Sequence, residues 1–185
     1  MKRILAVIFT VIILSGCSNS KAIEPGLQLR EKLLNSNGCS FDALITADYA
    51  DEIYTFTMQC EIDQNGNLSF CVKEPISISG ITGTMTADGG KLTFDDKALA
   101  FPLLADDQIT PISGPWLLLK TLRGGYLRAC ETGKNETHLI LDDSYQEDAL
   151  QVDVYLTKEN IPIRGEFLFR GRRILSIDVR NFAYL

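Results

Sequence analysis

The chain has 185 residues, of which 45% are hydrophobic and 23% are charged, and its formal net charge at pH 7 is −6. This length is typical of one ordinary domain with its own hydrophobic core. An acidic chain without a cluster of lysine and arginine offers no surface that neutralises phosphate groups. These properties exclude nucleic acid as an expected partner and disfavour electrostatic adhesion to anionic lipid.

The N-terminus has the parts of a bacterial export signal. Met1-Lys2-Arg3 is basic, residues 4–14 are apolar, and Leu14-Ser15-Gly16 stands directly before Cys17. The apolar run is too short for a membrane span, which needs about 20 residues. Leu-Ser-Gly-Cys resembles the lipobox of bacterial lipoproteins, whose cysteine receives a diacylglyceryl group and becomes the new N-terminus. This resemblance predicts a signal peptide over residues 1–16 and lipidation of Cys17.

Lipidation also predicts where the protein lies in the cell. Cleavage would remove Lys2 and Arg3 but no acidic residue, so the net charge of the mature chain would be −8. Two acyl chains hold a protein firmly on a bilayer without a basic patch. We therefore expect a protein anchored by lipid on the extracytoplasmic face of the cell membrane. Residues 17–26 are predicted to be the lipidated cysteine and a tether, and residues 27–185 a single domain.

The predicted domain opens with a short helix and continues as strands. Leucines recur at helical spacing over residues 27–36, and Asn37-Gly38 supplies a C-terminal stop. After that, apolar and polar residues alternate in short runs separated by turn residues, which predicts antiparallel strands. The predicted strands cover residues 41–47, 53–60, 68–74, 81–87, 91–94, 97–103, 126–131, 137–142, 149–156, 161–169 and 173–182.

One segment departs from the alternation. Residues 114–125 carry Pro115 at a first helical position and end in Gly124-Gly125, the asymmetry expected of a helix. The first turn of this helix is apolar on all sides. We therefore expect the helix to be covered by the sheet or to fill an apolar space.

Four cysteines remain if Cys17 is lipidated, and an exported chain can keep disulfides. A loop over residues 48–51 would place Ala43 opposite Phe56 and would also place Cys39 opposite Cys60. Directly opposed residues lie within disulfide range. This register predicts a Cys39–Cys60 disulfide, with two buried thiols as the alternative.

The next hairpin offers a competing pairing of Cys60 with Cys71. A two-residue turn would pair these cysteines but would also set apolar residues opposite polar ones. A three-residue turn with Gly66 in the left-handed position instead pairs Cys60 with Phe70 and Met58 with Val72. The second register is favoured. It leaves Cys71 on the opposite face, either free or joined to Cys130.

The chain offers little catalytic chemistry. Its single histidine, His138, stands in a predicted strand with no nucleophile motif around it. The pairs Asp95-Asp96, Asp106-Asp107 and Asp142-Asp143 occur at turns, where aspartate is favoured for its own backbone hydrogen bonds rather than for calcium. We predict no catalytic residue, no metal site and no cofactor.

Arginines cluster around the last predicted hairpin. They are Arg164, Arg170, Arg172 and Arg173. Such a cluster can meet an acidic partner, or it can protect an exposed strand edge from pairing with other chains. The second role is the favoured interpretation.

The order of elements resembles that of the lipoprotein-carrier superfamily. The resemblance rests on the lipobox, the short first helix, the run of about eleven strands, the Pro-started middle helix, and the strand and turn from Glu74-Pro75 through Ile81. It implies a mainly β (α+β) fold, in which a curved, open antiparallel sheet forms a half-barrel with one or two covering helices. It also implies candidate cavity residues on the concave face, namely Ile45, Tyr54, Phe56, Met58, Phe70, Trp116 and Leu119.

Two functions follow as expectations. The first is a non-enzymatic envelope lipoprotein that binds a lipid or an acyl chain in the half-barrel, with the covering helices as a movable lid. The second is a scaffold with a filled interior, which docks a protein partner such as an envelope enzyme through a strand edge or the arginine hairpin. The two functions differ in whether the interior of the half-barrel is an open cavity or a packed core.

Overall fold

The computed structural model describes residues 23–49, 52–101, 104–105, 108–146 and 149–185. The predicted signal peptide, Cys17 and Asp106-Asp107 lie outside the described residues. Within these ranges the chain forms two α-helices, a short 3-10 turn and thirteen strands.

The helices are α1 (Glu24–Asn35) and α2 (Gly114–Gly124), and the 3-10 turn (Pro111–Ser113) leads directly into α2. The strands are β1 (Gly38–Asp48), β2 (Ile53–Asp63), β3 (Leu68–Glu74), β4 (Thr82–Thr86), β5 (Gly89–Phe94), β6 (Lys97–Phe101), β7 (Leu104–Ala105), β8 (Gln108–Ile109), β9 (Tyr126–Thr132), β10 (Thr137–Asp142), β11 (Gln151–Leu156), β12 (Pro162–Phe169) and β13 (Arg172–Tyr184). None of the helices in the described ranges combines the length and the apolar character that a membrane crossing requires.

Eleven of the strands form one antiparallel sheet in the order β6-β5-β4-β3-β2-β1-β13-β12-β11-β10-β9, and β7 pairs only with β8. The sheet is curved and does not close into a barrel. Because β1 pairs with β13, the first and last strands lie side by side in the middle of the sheet. The two free edges are therefore β6 and β9. The predicted fold class, a mainly β half-barrel with two covering helices, is confirmed.

The helices lie on one face of this sheet, which we call the concave face. Every second residue of the central strands faces the helices and is buried, as the burial of Phe41, Ala43 and Ile45 on β1 illustrates. Helix α2 is buried on nearly all sides, including Trp116 and Leu118. The expectation of a middle helix covered by the sheet is confirmed, and its burial follows from a first turn that is apolar on all sides.

Helix α1 begins at Glu24, three residues before the predicted start of the domain. The end of the predicted tether, including Pro25 and Gly26, is therefore helical. Proline is tolerated in the first turn because its missing N–H would have no helical partner there. Gly26 lies against β9, where a methyl group would stand 2.7 Å from Leu127 Cδ2. The glycine that resembled a linker residue allows a close helix-to-strand contact.

The predicted register of the first hairpin is wrong by two residues. The strands pair through Asp48 and Ile53, so Cys39 lies opposite Ile62 and Cys60 lies opposite Phe41. Cys39 and Cys60 are both free thiols, which contradicts the predicted disulfide. A shift of two residues keeps every side chain on the same face, so matching apolar residues cannot detect it. The cysteines share the concave face but occupy diagonal positions.

The predicted register of the second hairpin is confirmed. Cys60 pairs with Phe70, and Met58 pairs with Val72. Gly66 has a φ of +84°, the left-handed conformation that the three-residue turn requires. Cys71 lies opposite Gln59 and is partly exposed on the other face.

Burial makes the two concave cysteines unreactive. It raises the pKa of the Cys39 thiol to about 12 and also raises the pKa of Cys60. A protonated, buried thiol is a poor nucleophile at neutral pH. Cys71 and Cys130 are each partly exposed and are the accessible thiols.

The burial of the four cysteines predicts how many of them a thiol reagent labels. In a Cys17→Ser variant, a thiol reagent should label Cys71 and Cys130 in the native protein, and all four remaining cysteines after unfolding without reductant. The label is counted by intact mass spectrometry. A Cys39–Cys60 disulfide would instead leave both of these cysteines unlabelled in the unfolded protein until reductant is added.

Candidate functional site

The concave face contains most of the predicted cavity residues, and most of them are buried in the hydrophobic core. Ile45, Met58, Phe70, Trp116 and Leu119 are each at most 5% exposed. A side chain that lined a cavity wide enough for an acyl chain would retain solvent-accessible surface. The space beside these five side chains is therefore filled by protein atoms.

The other two predicted cavity residues lie near the start of β2. Tyr54 is 48% exposed, and Phe56 is partly buried against the core. Tyr54 pairs with Ala47, and its ring contacts Tyr49 edge-on at 6.1 Å between ring centroids. The alternation along β2 therefore predicted the correct face, but burial decreases toward Tyr54.

Helix α2 fits the sheet through close contacts at two glycines. A methyl group at Gly165 on β12 would stand 2.8 Å from Leu118 Cδ1. A methyl group at Gly114 would stand 2.6 Å from Leu175 Cδ2 on β13. These distances are shorter than ordinary van der Waals contacts, so any larger residue would push the helix away. The helix packs as part of the core.

Polar side chains hold α2 at its two ends. The Trp116 indole Nε1 donates a hydrogen bond to the Gly66 carbonyl at 3.0 Å, and Arg123 donates one to the Gln64 carbonyl at 2.6 Å. From α1, Arg30 donates to the carbonyls of Leu122 and Gly125 at the C-terminus of α2. Lid movement of α2 would have to break these bonds and expose its buried leucines.

The sheet is least covered at its β6 end, where apolar side chains of the concave face reach solvent. Leu92 lies opposite Leu99, and Phe101 lies opposite Gly90. Leu99 is 65% exposed and Phe94 is 51% exposed, whereas Leu92 and Phe101 are partly buried. We call Leu92, Phe94, Leu99 and Phe101 the apolar strip.

The apolar strip adjoins the free edge of β6. This strand pairs with β5 on one side, and on its other side no described strand is bonded to it. Natural proteins protect such edges with charged residues, proline or bulges, because unpaired backbone groups bind other extended chains. In β6 the only charged residue is Lys97, at the start of the strand.

The opposite face, which we call the convex face, is polar, and several of its charged side chains form ion pairs. Arg164 pairs with Asp178, Arg172 with Asp48, and Arg173 with Glu166. Arg170 lies over the ring of Phe169, at 5.1 Å from its centroid. The predicted role in protecting a sheet edge is wrong, because β12 and β13 are interior strands that pair on both sides.

His138 also lies on the convex face and belongs to a row of paired side chains. Its ring stacks on Tyr155 at 4.6 Å between centroids, and its Nε2 lies 3.2 Å from a carboxylate oxygen of Asp153. Tyr155 lies opposite Arg164 on the next strand. Among the described residues, no group of three histidine, cysteine or acidic side chains is placed to hold a metal ion.

No family model and no curated protein matches the chain. Solved structures with similar folds include a LolA superfamily protein from Nitrosomonas europaea (12% identity, TM-score 0.44), which aligns over 85% of this chain and 92% of its own. An uncharacterized conserved protein from Thermus thermophilus has 15% identity and a TM-score of 0.49, over 88% of this chain and 86% of its own. A chain in the structure of the CwlD amidase from Clostridioides difficile with the GerS lipoprotein has 15% identity and a TM-score of 0.44, over 88% of this chain and 95% of its own.

The observation that decides the architecture is the chain's own sheet, which among the described residues has eleven antiparallel strands, two unpaired edges and two helices on its concave face. The chain has the open half-barrel fold that the sequence resemblance implied.

Proposed function

We propose that this chain is a non-enzymatic protein of the cell envelope, held to the membrane by a lipidated Cys17, that binds a protein partner along the free edge of β6. The observation that carries the proposal is the exposed apolar edge strand itself. An extended partner segment would add a strand to the sheet and would bond to the backbone of β6. Specificity would come from side chains that the partner places on the apolar strip.

The exposure of the apolar strip supports this proposal. Leu99 and Phe94 are more than half exposed, at 65% and 51%, although both belong to the apolar face of the sheet. Exposed apolar residues that are contiguous mark interaction sites more often than scattered ones do. Leu99 lies in the middle of β6, where a partner strand would cover it.

The filled interior also favours a scaffold. The buried positions of Ile45, Met58 and Leu119 leave no room for an acyl chain beside them, and the contacts of Leu118 with Gly165 fix α2 on the sheet. A rigid core presents a binding edge in a constant geometry, which lowers the ordering cost of association.

Binding of a partner at β6 is tested by photo-crosslinking in cells of the native host. A photoreactive phenylalanine analogue at Leu99 should form an adduct with one envelope protein, whereas the same analogue at Leu34 should not. Leu34 is a matched control because it is also exposed, at 53%, but lies on α1. The adduct is identified by mass spectrometry. The proposal fails if neither position, or both positions equally, form adducts.

A second function, binding of a lipid or an acyl chain, is favoured by the same apolar strip. Its side chains offer apolar area that a ligand could cover at about 25 cal/mol per Å² before binding costs. Native mass spectrometry of a Cys17→Ser variant after incubation with envelope lipids distinguishes this function. Extra mass that Leu99→Lys removes would support it, and an apo mass would leave the protein partner as the function.

A further inference from the structure

A second surface with the properties of a binding site lies on the convex face, at the far side of the sheet from β6. A polar cleft of about 210 Å³ is formed there by the ends of β9 to β12 and the loop after β10. The residues that give the cleft its character are Arg128, Asp142, Gln146, Gln151, Leu168 and Arg170. We call this site the polar cleft.

The strand register aligns the floor of the polar cleft. Asp142 lies opposite Gln151 on β11, and Gln151 lies opposite Leu168 on β12. On the other side of Asp142 stands Tyr126, at the start of β9. The floor is therefore a straight row across four strands, which backbone pairing holds in place.

The wall of the polar cleft includes Gln146 and Ala149, from the described parts of the segment after β10. The Asp143 N–H donates to the Leu150 carbonyl at 3.0 Å, and the Leu150 N–H donates to Asp143 Oδ1 at 2.9 Å. The Ala149 N–H donates to the Gln146 carbonyl at 3.0 Å. These bonds hold the backbone of Gln146 and Ala149 before any ligand arrives, which lowers the ordering cost of binding.

The polar groups of the cleft are a mixture of donors and acceptors. Arg128 Nη1 donates to both oxygens of Asp142, at 3.2 and 3.4 Å, which neutralises the charge and leaves the other guanidinium N–H groups as donors. Gln151 donates to Asp153 at 2.8 Å, so its amide oxygen is left as an acceptor. Hydroxyl groups, which both donate and accept, can bond to both kinds of group in such a set.

An exposed aromatic pair stands beside the polar cleft. The rings of Tyr126 and Tyr145 lie 5.1 Å apart between centroids, at an angle of 49°. Tyr126 is 50% exposed and Tyr145 is 88% exposed, although large aromatic side chains are among those a fold gains most by burying. Flat aromatic faces held at the rim of a polar cleft can stack on the C–H face of a pyranose ring.

We propose that the polar cleft binds one neutral hexose or N-acetylhexosamine residue of a glycan, with its hydroxyl groups bonded by Arg128, Asp142, Gln146 and Gln151, and its apolar face on Tyr145. The volume suits a single sugar ring, and the charge of Arg128 is already paired with Asp142. The proposal is independent of the partner at β6, because the two sites lie at opposite ends of the sheet and on opposite faces.

The test is saturation-transfer difference NMR on the full chain with maltotriose and tri-N-acetylchitotriose as probes, in a zwitterionic detergent, since sugar detergents would compete. We expect transfer to one of the two probes with millimolar affinity. Tyr145→Ala should weaken it about tenfold or more, the loss of one stacking contact of about 1.4 kcal/mol. Gln146→Ala should also weaken it.

Ile76→Ala is the control, because Ile76 is an exposed apolar residue after β3, outside both the polar cleft and the apolar strip. It should leave the transfer unchanged. Far-UV circular dichroism checks that each variant is folded, which is expected since the side chains of Tyr145 and Ile76 are both exposed. Absence of transfer to either probe at millimolar concentration overturns the proposal. Equal transfer to Tyr145→Ala and the unsubstituted chain, or equal loss in Ile76→Ala, overturns it as well.

Discussion

A Met58→Trp substitution is expected to lower the free energy of unfolding by about 3 kcal/mol, at the upper end of the cost of overpacking a core. Met58 is fully buried on β2, between Ala43 on β1 and Val72 on β3. The indole is much larger than the thioether chain, and no space remains beside it. Urea unfolding followed by far-UV circular dichroism measures the loss, because that signal is insensitive to the added indole fluorescence.

The Met58→Leu variant is the control for this experiment. It keeps the volume of the side chain, so its cost should stay below about 1.5 kcal/mol. If Met58→Trp is as stable as the unsubstituted chain, the space beside Met58 is larger than its complete burial indicates. An acyl chain bound inside the half-barrel, rather than at the apolar strip, would then be favoured over the scaffold with a filled interior.

The sequence predicts faces and turns better than register. In the β1–β2 hairpin, apolar residues match equally well in two registers that differ by two residues, and the predicted one is wrong. In the β2–β3 hairpin, the two candidate registers differ by one residue, which turns every side chain to the other face, so the matching of apolar residues selects the correct one. The loop between β1 and β2 contains no glycine, so nothing local fixes its length.

The candidate site was predictable in part. Alternation identified Ile45, Met58 and Phe70 as residues of the concave face, and the structure places all three there. Alternation does not report what packs against a face, so the tight fit of Leu118 against Gly165 was not predictable. The free edge at β6 depends on strand order, which pairs β1 with β13 across the whole chain.

The polar cleft was missed for a different reason. Arg128, Gln146, Gln151 and Arg170 come from two strands and two loops that are separated in sequence. Of the Asp142-Asp143 pair, Asp143 fits the turn interpretation because it accepts the Leu150 N–H, whereas Asp142 ends β10 and pairs with Arg128. The one feature of the sequence that could have indicated the polar cleft is Tyr145, an aromatic residue among polar neighbours.

A Gly38→Ala substitution is expected to have the largest effect of all, a loss of about 4 kcal/mol that combines backbone strain with a steric clash. Gly38 has a φ of +144°, and a methyl group there would stand 2.1 Å from the Ile62 carbonyl oxygen. The same glycine accepts a hydrogen bond from the Leu185 N–H at 3.0 Å. Since domains are stable by about 5–15 kcal/mol, this variant would be close to unfolding.

The Gly38→Ala result also tests the register that separates Cys39 from Cys60. In the observed register Gly38 lies opposite Asp63 and against the Ile62 carbonyl, whereas the disulfide register would place it opposite Glu61. Gly124→Ala is the control, because a methyl group there meets nothing within 4 Å and alanine favours the helix. Urea unfolding should show a large loss for Gly38→Ala and no loss for Gly124→Ala. Equal stability of the two variants would mean that Gly38 does not lie against Ile62, and the pairing of β1 with β2 would have to be reassigned.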